Sequence, residues 1–222
     1  MLGTLYMVAT PIGNLQDVSD RTRSTLEGVD IVFAEDTRVA KRLLAALELQ
    51  KPVERYDHHS HDKQWLRVAT CLEEGKAVAY VSDAGTPGVE DPGGRLIEAL
   101  VATDPEVRVV PIPGPSAIMA LLSVSGFPAD AFSVLGFPPK KKGRRTFFDQ
   151  LADTMGTAVL YESTHRIQKT VEEIAVRQPD RSMVIGRELT KKFETILRGT
   201  ARELSERLST ETTKGEFMIV VA

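Results

Sequence analysis

Cysteine is almost absent from this sequence, since Cys71 is the single one among 222 residues. A disulfide within the chain is therefore excluded, and the composition is typical of a reducing compartment. Cys71 lies in an apolar helical pattern with Trp65, Val68 and Leu72. We interpret it as a packed thiol rather than a nucleophile.

Long apolar runs are also missing, and none approaches the ~18–20 residues of a membrane-spanning helix. The stretch Leu2–Ile12 has no basic region before its apolar part, unlike a signal peptide. We therefore expect a cytoplasmic protein. The formal net charge of −3 provides no overall attraction to nucleic acid, so any RNA contact must come from a local basic patch.

Several familiar site motifs do not occur. The sequence contains no GxSxG, no P-loop and no GxGxxG fingerprint, which argues against a dinucleotide oxidoreductase. His58, His59 and His61 cluster, but neither cysteine nor a second histidine group completes a ligand set. We interpret them as a solvated turn and predict no metal site.

What the sequence does contain is an alternation of short apolar strands with amphipathic helices. In the first half, strands are predicted at Leu5–Ala9, Val29–Ala34, Val53–Tyr56, Ala77–Val81 and Val107–Ile112, and helices at Ser19–Glu27, Thr37–Leu49, Asp62–Glu74, Gly93–Thr103 and Ser116–Val124. In the second half, strands are predicted at Phe132–Leu135, Thr157–Tyr161, Met183–Arg187, Glu194–Arg198 and Glu216–Val221, and helices at Arg145–Ala152, His165–Arg177 and Ala201–Ser209.

This alternation predicts an α/β protein with two α/β domains. Strands joined through helices favour a mostly parallel N-terminal sheet with both faces covered. Met183–Arg187 and Glu194–Arg198 are joined without room for a helix, so we expect them to be antiparallel and the C-terminal sheet to be mixed. The proline-rich stretch Pro111–Pro115 is the predicted hinge between domain 1–112 and domain 113–222.

Ligands of open α/β sheets lie beyond the carboxyl ends of the strands, and four turns there are unusual in composition. They are residues 9–14, the glycine- and proline-rich 82–94, the hinge 113–117 and the polar 161–166. Glycine lets backbone approach a ligand closely, and proline stiffens a loop. Each of these turns also has an ordinary explanation as a structural connection or a helix cap.

A basic segment follows the first strand of the second half. Lys140, Lys141, Lys142, Arg144 and Arg145 place five positive charges in six residues. A solvated loop is the usual meaning of such a run, but phosphate contact would make RNA binding salt-dependent. We therefore treat these five residues, together with Arg166, as candidate RNA contacts.

Taken together, these segments resemble one family. The stretches LYMVATPIGNLQD, FAEDTR, VSDAGTPGVEDPG, PIPGPSAIMALLSVSGFP, GFPPKKKGRR, LYESTHRI, RELTKKFE and KGEFMIVV resemble the ribosomal RNA small-subunit methyltransferase I group of the tetrapyrrole-methylase-like superfamily. The resemblance covers essentially the whole chain in unbroken order. It implies a tetrapyrrole-methylase-like fold, a homodimer, and S-adenosylmethionine bound in the cleft between the two domains. The implied reaction is 2′-O-methylation of a cytidine in 16S rRNA of the small ribosomal subunit.

The resemblance also implies site residues. The implied cofactor neighbours are Asp83, Ala84, Gly85, Pro87, Ser116, Ala117 and Tyr161. The implied acceptor-side loop consists of Thr10, Pro11 and Gly13.

A ribose hydroxyl is a poor nucleophile until its proton leaves, so a general base is expected. We consider Glu162 first, then Glu35 and Asp36, and Arg187 as a catalytic cation that neutralises a neighbouring phosphate. Each acid has the alternative role of a loop-stabilising or ion-pair carboxylate. Three alternatives for the whole protein stay open: methylation of a tetrapyrrole or another small molecule, a metabolite-binding module without catalysis, and a dinucleotide oxidoreductase.

Overall fold

The structure is a computed structural model that describes residues 3–57, 61–211 and 213–222, with side chains at 61–63 outside the description. The chain forms two compact units, residues 1–116 and residues 117–222. Each unit contains one five-stranded sheet within the described ranges.

The first unit is built on a parallel sheet of order β3-β2-β4-β1-β5. Its strands are β1 (Thr4–Val8), β2 (Ile31–Ala34), β3 (Val53–Arg55), β4 (Ala77–Val81) and β5 (Arg108–Ile112). Its helices are α1 (Asp20–Gly28), α2 (Thr37–Ala46), α3 (His61–Glu73) and α4 (Gly93–Thr103), and a short 3-10 helix spans Leu15–Asp17.

Apolar residues on both faces of this sheet explain why the strands are buried. Leu5 and Tyr80 belong to a core that also contains Val68 of α3 and Leu96 of α4. Val8 belongs to a separate core on the other face, where Leu26 of α1 and Leu44 of α2 pack with Ala40, Val32 and Val81. The two-sided burial is typical of a parallel sheet covered by crossover helices.

One predicted helix ends early. The apolar periodicity predicts a helix to Leu49, but α2 ends at Ala46. Glu48 adopts a left-handed backbone with φ of 59°, and the amide of Leu49 donates to the carbonyl of Leu44. This is the geometry of a helix C-terminus, and it is formed here without the glycine that usually signals it.

The second unit is built on a mixed sheet of order β6-β7-β10-β8-β9. Its strands are β6 (Phe132–Gly136), β7 (Thr157–Glu162), β8 (Ser182–Arg187), β9 (Thr195–Thr200) and β10 (Phe217–Val221). Its helices are α5 (Ala117–Ser125), α6 (Arg144–Asp153), α7 (Ile167–Arg177) and α8 (Ala201–Leu208).

Strand directions in this sheet place three loops at one edge. β6 is parallel to β7, whereas β10 is antiparallel to both β7 and β8. The carboxyl ends of β6, β7 and β8 therefore lie on the same side. β8 and β9 are antiparallel, so the predicted antiparallel pair, the mixed sheet and the two-sheet α/β fold are confirmed.

Candidate functional site

Three of the unusual turns meet at the carboxyl ends of neighbouring strands in the first unit. Thr10 and Gly85 exchange two backbone hydrogen bonds of 3.0 Å, which join the turn after β1 to the turn after β4. The Thr10 hydroxyl donates to the Ser82 carbonyl at 3.0 Å. The Thr86 hydroxyl donates to the Pro115 carbonyl at 3.1 Å and so attaches the segment after β5.

Glycine is required at two points of this assembly. Gly85 has φ of +85°, a backbone conformation that other residues adopt only with strain. At Gly114, a Cβ would lie 2.9 Å from the Cβ of Ala9, closer than two such atoms approach. The close packing of the turns after β1 and β5 therefore depends on the missing side chain at Gly114.

The remainder of the glycine-rich loop is held by one carboxylate. Asp91 Oδ1 accepts hydrogen bonds from the amides of Gly88 at 2.9 Å and Gly93 at 2.7 Å. The hydroxyl of Tyr80 also faces this oxygen at 3.4 Å, and burial together with the nearby carboxylates raises the pKa of Tyr80. The loop is therefore a stiff support, and its exposed residues are Asp83, Ala84, Thr86, Gly88, Val89, Glu90 and Gly94.

A polar cavity of about 360 Å³ opens beside this loop. The Asp36 amide donates to Asp83 Oδ1 at 3.0 Å, which ties the end of β2 to the end of β4. The cavity contains carboxylates and guanidinium groups in close proximity, and its lining residues are Glu35, Asp36, Thr37, Arg38, Arg55 and Asp83.

Asp36 is the N-cap residue of α2. Its carboxylate accepts from the Arg38 amide at 2.8 Å and from the Arg38 guanidinium at 2.6 and 3.0 Å. The side-chain hydrogen bonds from Arg38, followed by the backbone one, hold the pKa of Asp36 well below its usual range. A carboxylate with a lowered pKa is a weak proton acceptor. Arg55, on the same cavity, is ion-paired with the buried Asp57.

Glu162 lies in the second unit at the end of β7, and its side chain is fully buried. Its carboxylate accepts from the Ser163 amide at 2.7 Å, from the Thr170 hydroxyl at 2.5 Å and from Arg166 Nη2 at 2.9 Å. The Ser163 hydroxyl is a fourth donor at 3.2 Å. This arrangement is that of a carboxylate that organises the β7–α7 turn.

The basic segment divides into one buried and several exposed cations. Arg144 is 7% exposed, and its guanidinium donates to Glu173, the Pro139 carbonyl and the Thr170 hydroxyl at 2.9–3.1 Å. It also lies 5.0 Å from the ring centroid of Phe148. By contrast, Lys140, Lys141, Lys142 and Arg145 are exposed at the surface. Four of the five charges are therefore available to a phosphate, and Arg144 supports the fold.

The other second-unit candidates are placed as follows. Ala117 and Tyr161 pack partly buried against the same apolar cluster, and Tyr161 stacks on Phe137 with ring centroids 5.3 Å apart. Arg166 Nη1 donates to the Pro138 carbonyl at 2.7 Å. Arg187 Nε donates to the Lys214 carbonyl at 2.6 Å.

The first unit thus brings together Asp83, Ala84, Gly85, Pro87 and Ser116 with the Thr10, Pro11 and Gly13 loop. Sequence reasoning missed Arg38 and Arg55 as cavity residues. Both could have been found from the sequence. Arg38 lies shortly after β2 and Arg55 ends β3, and ligands of α/β sheets bind at the carboxyl ends of such strands.

Within the described ranges, none of the helices is both long and apolar enough to cross a bilayer. No group of three or more histidine, cysteine, aspartate or glutamate side chains in those ranges is arranged to hold a metal ion. Of the histidine cluster, His58 and His59 lie outside the described residues, as does the His61 side chain.

Several named proteins resemble this chain over nearly its whole length. Three curated relatives carry the name ribosomal RNA small subunit methyltransferase I. The protein from Xylella fastidiosa is 43% identical, with 99% of this chain and 81% of its own length covered. The protein from Haemophilus influenzae is 41% identical, with coverage of 100% and 79%, and that from Halalkalibacterium halodurans is 40% identical, with coverage of 99% and 75%.

Solved structures agree in fold. A diphthine synthase superposes with a TM-score of 0.75 at 15% identity, covering 99% of this chain and 90% of its own. The uroporphyrin-III-C-methyltransferase of Thermus thermophilus superposes with a TM-score of 0.67 at 20% identity, covering 99% and 94%. The family model of the tetrapyrrole (corrin/porphyrin) methylases matches residues 4–205. The chain belongs to the tetrapyrrole methylase family, and within it to the ribosomal RNA small subunit methyltransferase I group.

Proposed function

We propose that this protein is an S-adenosylmethionine-dependent methyltransferase that modifies the ribose 2′-hydroxyl of a cytidine in 16S rRNA. The observation that carries the proposal is identity of 40–43% across 99–100% of the chain with proteins named for methylation of small-subunit ribosomal RNA. The assembly of stiff loops at the carboxyl ends of β4, β1 and β5 supports it, because ligands of α/β sheets bind at that edge.

The chemistry of the first-unit loops fits a nucleoside cofactor. Asp83 is an exposed carboxylate able to accept hydrogen bonds from ribose hydroxyls, and the glycine at position 85 permits the left-handed turn that joins this loop to Thr10. Ser116 has small size and a hydroxyl at the segment joined to the loop through Thr86 and Pro115. When bound, S-adenosylmethionine supplies an electrophilic methyl group on a sulfonium. The chain's own task is to hold the acceptor oxygen in line and accept its proton.

We propose Glu35 as the proton acceptor. Glu35 lines the 360 Å³ cavity beside Asp83, at the carboxyl end of β2. Asp36, on the same cavity, has a lowered pKa, and Glu162 is fully buried in the second unit. The guanidinium groups of Arg38 and Arg55 on the same cavity are paired with Asp36 and Asp57, and their remaining N–H groups can donate to a nucleotide phosphate. A general base within reach of the hydroxyl is expected to contribute about 10²–10⁴-fold to the rate.

The first experiment measures transfer of labelled methyl from S-adenosylmethionine to purified small ribosomal subunits, with uroporphyrinogen as the competing acceptor. Nuclease digestion and chromatography should then recover 2′-O-methylcytidine. Absence of label in the rRNA, or label in the tetrapyrrole, would refute the proposed function.

The second experiment separates catalysis from binding. We expect Glu35→Gln to slow single-turnover methyl transfer by about 10²-fold or more while leaving cofactor affinity unchanged by calorimetry. Asp36→Asn serves as the neighbouring control and should affect the rate less. Equal effects of the two variants would remove Glu35 from the role of base.

The third experiment tests the cofactor loops. Asp83→Ala and Ser116→Trp should each weaken S-adenosylmethionine binding at least about tenfold, since each removes or blocks a polar contact in a desolvated site. Ser24→Trp, at an exposed position of α1, is the matched control. Unchanged affinity in both site variants would refute the assignment. We also propose a homodimer, which sedimentation equilibrium would test.

A further inference from the structure

The carboxyl edge of the second sheet carries a basic surface drawn from three separate parts of the sequence. Because β6, β7 and β8 point the same way, their following loops lie at the same edge of the sheet. Arg166, after β7, donates to the Pro138 carbonyl after β6. Arg187, at the end of β8, donates to the Lys214 carbonyl before β10.

A further pair of hydrogen bonds, in the middle of this edge, joins the loop after β7 to the segment before β10. The Thr164 hydroxyl donates to the Gly215 carbonyl, and the Gly215 amide returns a bond of 2.9 Å to the Thr164 oxygen. A continuous set of hydrogen bonds therefore runs from the loop after β6 to the loop after β8. At one end stand the exposed Lys140, Lys141 and Lys142, and at the other Lys192. Neighbouring strands are about 4.8 Å apart, so β6 and β8, separated by two strands, lie about 14 Å from each other.

The turn between β8 and β9 is rigid and strained. Glu188 and Thr190 have φ of 51° and 64°, a left-handed conformation that is uncommon outside glycine and concentrates at functional sites. Lys191 bridges the carboxylates of Glu188 at 3.1 Å and Glu216 at 2.9 Å. The Thr190 amide donates to Glu194 at 2.6 Å. The turn is therefore held by its own side chains.

This rigid turn presents an aromatic ring to solvent. Phe193 is 65% exposed, although burial of a phenylalanine side chain is favourable by about 1.5–3 kcal/mol. The ammonium of Lys192 lies 5.6 Å from its ring centroid. An exposed ring beside a cation, at the same sheet edge as the exposed lysines after β6, is the pairing with which proteins stack a base and contact its phosphate.

We propose that Phe193 stacks on an unpaired base of the acceptor RNA and that the loop after β6 contacts phosphates further along the same strand. This inference rests on the proposed function, since it names how the RNA is held. Phe193 is a positioning residue for the RNA strand and takes no part in the proton or methyl transfer.

Binding of a fluorescein-labelled single-stranded RNA of about 12 nucleotides from the small subunit, followed by anisotropy, tests the proposal. Phe193→Ala and Phe193→Leu should each weaken binding about 5- to 100-fold, and Phe193→Trp should retain it with quenched fluorescence of the new tryptophan. The matched control is Met155→Ala, because Met155 is 94% exposed and apolar but follows α6 away from these strand ends.

Two further readouts separate stacking from a general loss of binding. Phe193→Ala should leave the salt slope unchanged, whereas the triple variant Lys140→Gln, Lys141→Gln and Lys142→Gln should flatten it by up to about 2, at about 0.7 per phosphate contact. With an RNA that carries abasic sites, the penalty of Phe193→Ala should shrink towards zero.

The outcomes distinguish the two proposals. If the wild type transfers no methyl group to the rRNA of small subunits, the proposed function fails. If it methylates the subunits but does not bind the labelled RNA, the stacking role alone fails. If the wild type binds with a lysine-dependent salt slope but Phe193→Ala binds equally well, only the stacking role is wrong. Loss of self-association in Phe193→Ala without any change in RNA affinity would likewise overturn it in favour of a protein contact.

Discussion

The replacement of Glu162 by alanine tests whether this carboxylate serves the fold or the chemistry. Its side chain is fully buried, and that of its partner Arg166 is 21% exposed. Removing one partner of a buried ion pair costs about 3–5 kcal/mol, because the other charge loses its compensation. The hydroxyl of Thr170 also loses its 2.5 Å acceptor. We expect Glu162→Ala to lower the free energy of unfolding of the second unit by about 3–5 kcal/mol.

The assay must report on the second unit. Trp65, the single tryptophan, lies in α3 of the first unit, so its fluorescence during urea unfolding serves as an internal control. Hydrogen exchange of peptides from β7 and α7 reports the effect itself. Thr170→Val should destabilise the same peptides by about 1–3 kcal/mol, since it leaves a buried acceptor with one donor fewer.

The alternative makes the opposite prediction. A catalytic Glu162 would tolerate replacement by glutamine with exchange rates close to wild type, while methyl transfer fell more than about 100-fold. Wild-type stability of Glu162→Gln together with such a loss of rate would refute a purely structural role for Glu162.

Three other predictions concern the first unit and the β8–β9 turn. Gly114→Ala should clash with Ala9 and weaken S-adenosylmethionine binding, as measured by calorimetry. Gly28→Ala is the control, because Gly28 has open space around it, and it should bind normally. Equal affinities of the two variants would contradict the close packing at Gly114. Cys71 is fully buried, and burial raises the pKa of its thiol. A thiol reagent at pH 8 should therefore label Cys71 only after urea unfolding. Rapid labelling of the native protein would show that this thiol is not packed in the core. The Glu216 amide, and then Lys191, lower the pKa of Glu188 below its ordinary 4.5. The resulting stability is present above that value and is lost as the pH falls through the lowered pKa of the folded state. The excess Tm of wild type over Glu188→Gln should therefore shrink as the pH is lowered below 4.5, and a constant difference would contradict it.

The sequence alone determined the secondary structure of this protein and the chemical character of its loops. Apolar periodicity and turn residues are local signals, and they located the strands, the helices and the antiparallel β8–β9 pair. Dependence on local signals also explains why the end of α2 was predicted too late. Glu48 adopts the left-handed conformation that follows a helix, whereas glycine or asparagine is the usual sequence signal for it.

Tertiary structure decided which charged residues are exposed and which loops are neighbours. Arg144 resembles the other four cations of its segment in sequence, yet contacts with Thr170 and Glu173, more than 25 positions away, bury it. Glu162 likewise loses access to solvent through Arg166 and Thr170. Burial of these charges depends on how α6 and α7 pack together on the sheet, and that packing is decided across a whole face rather than by any local pattern.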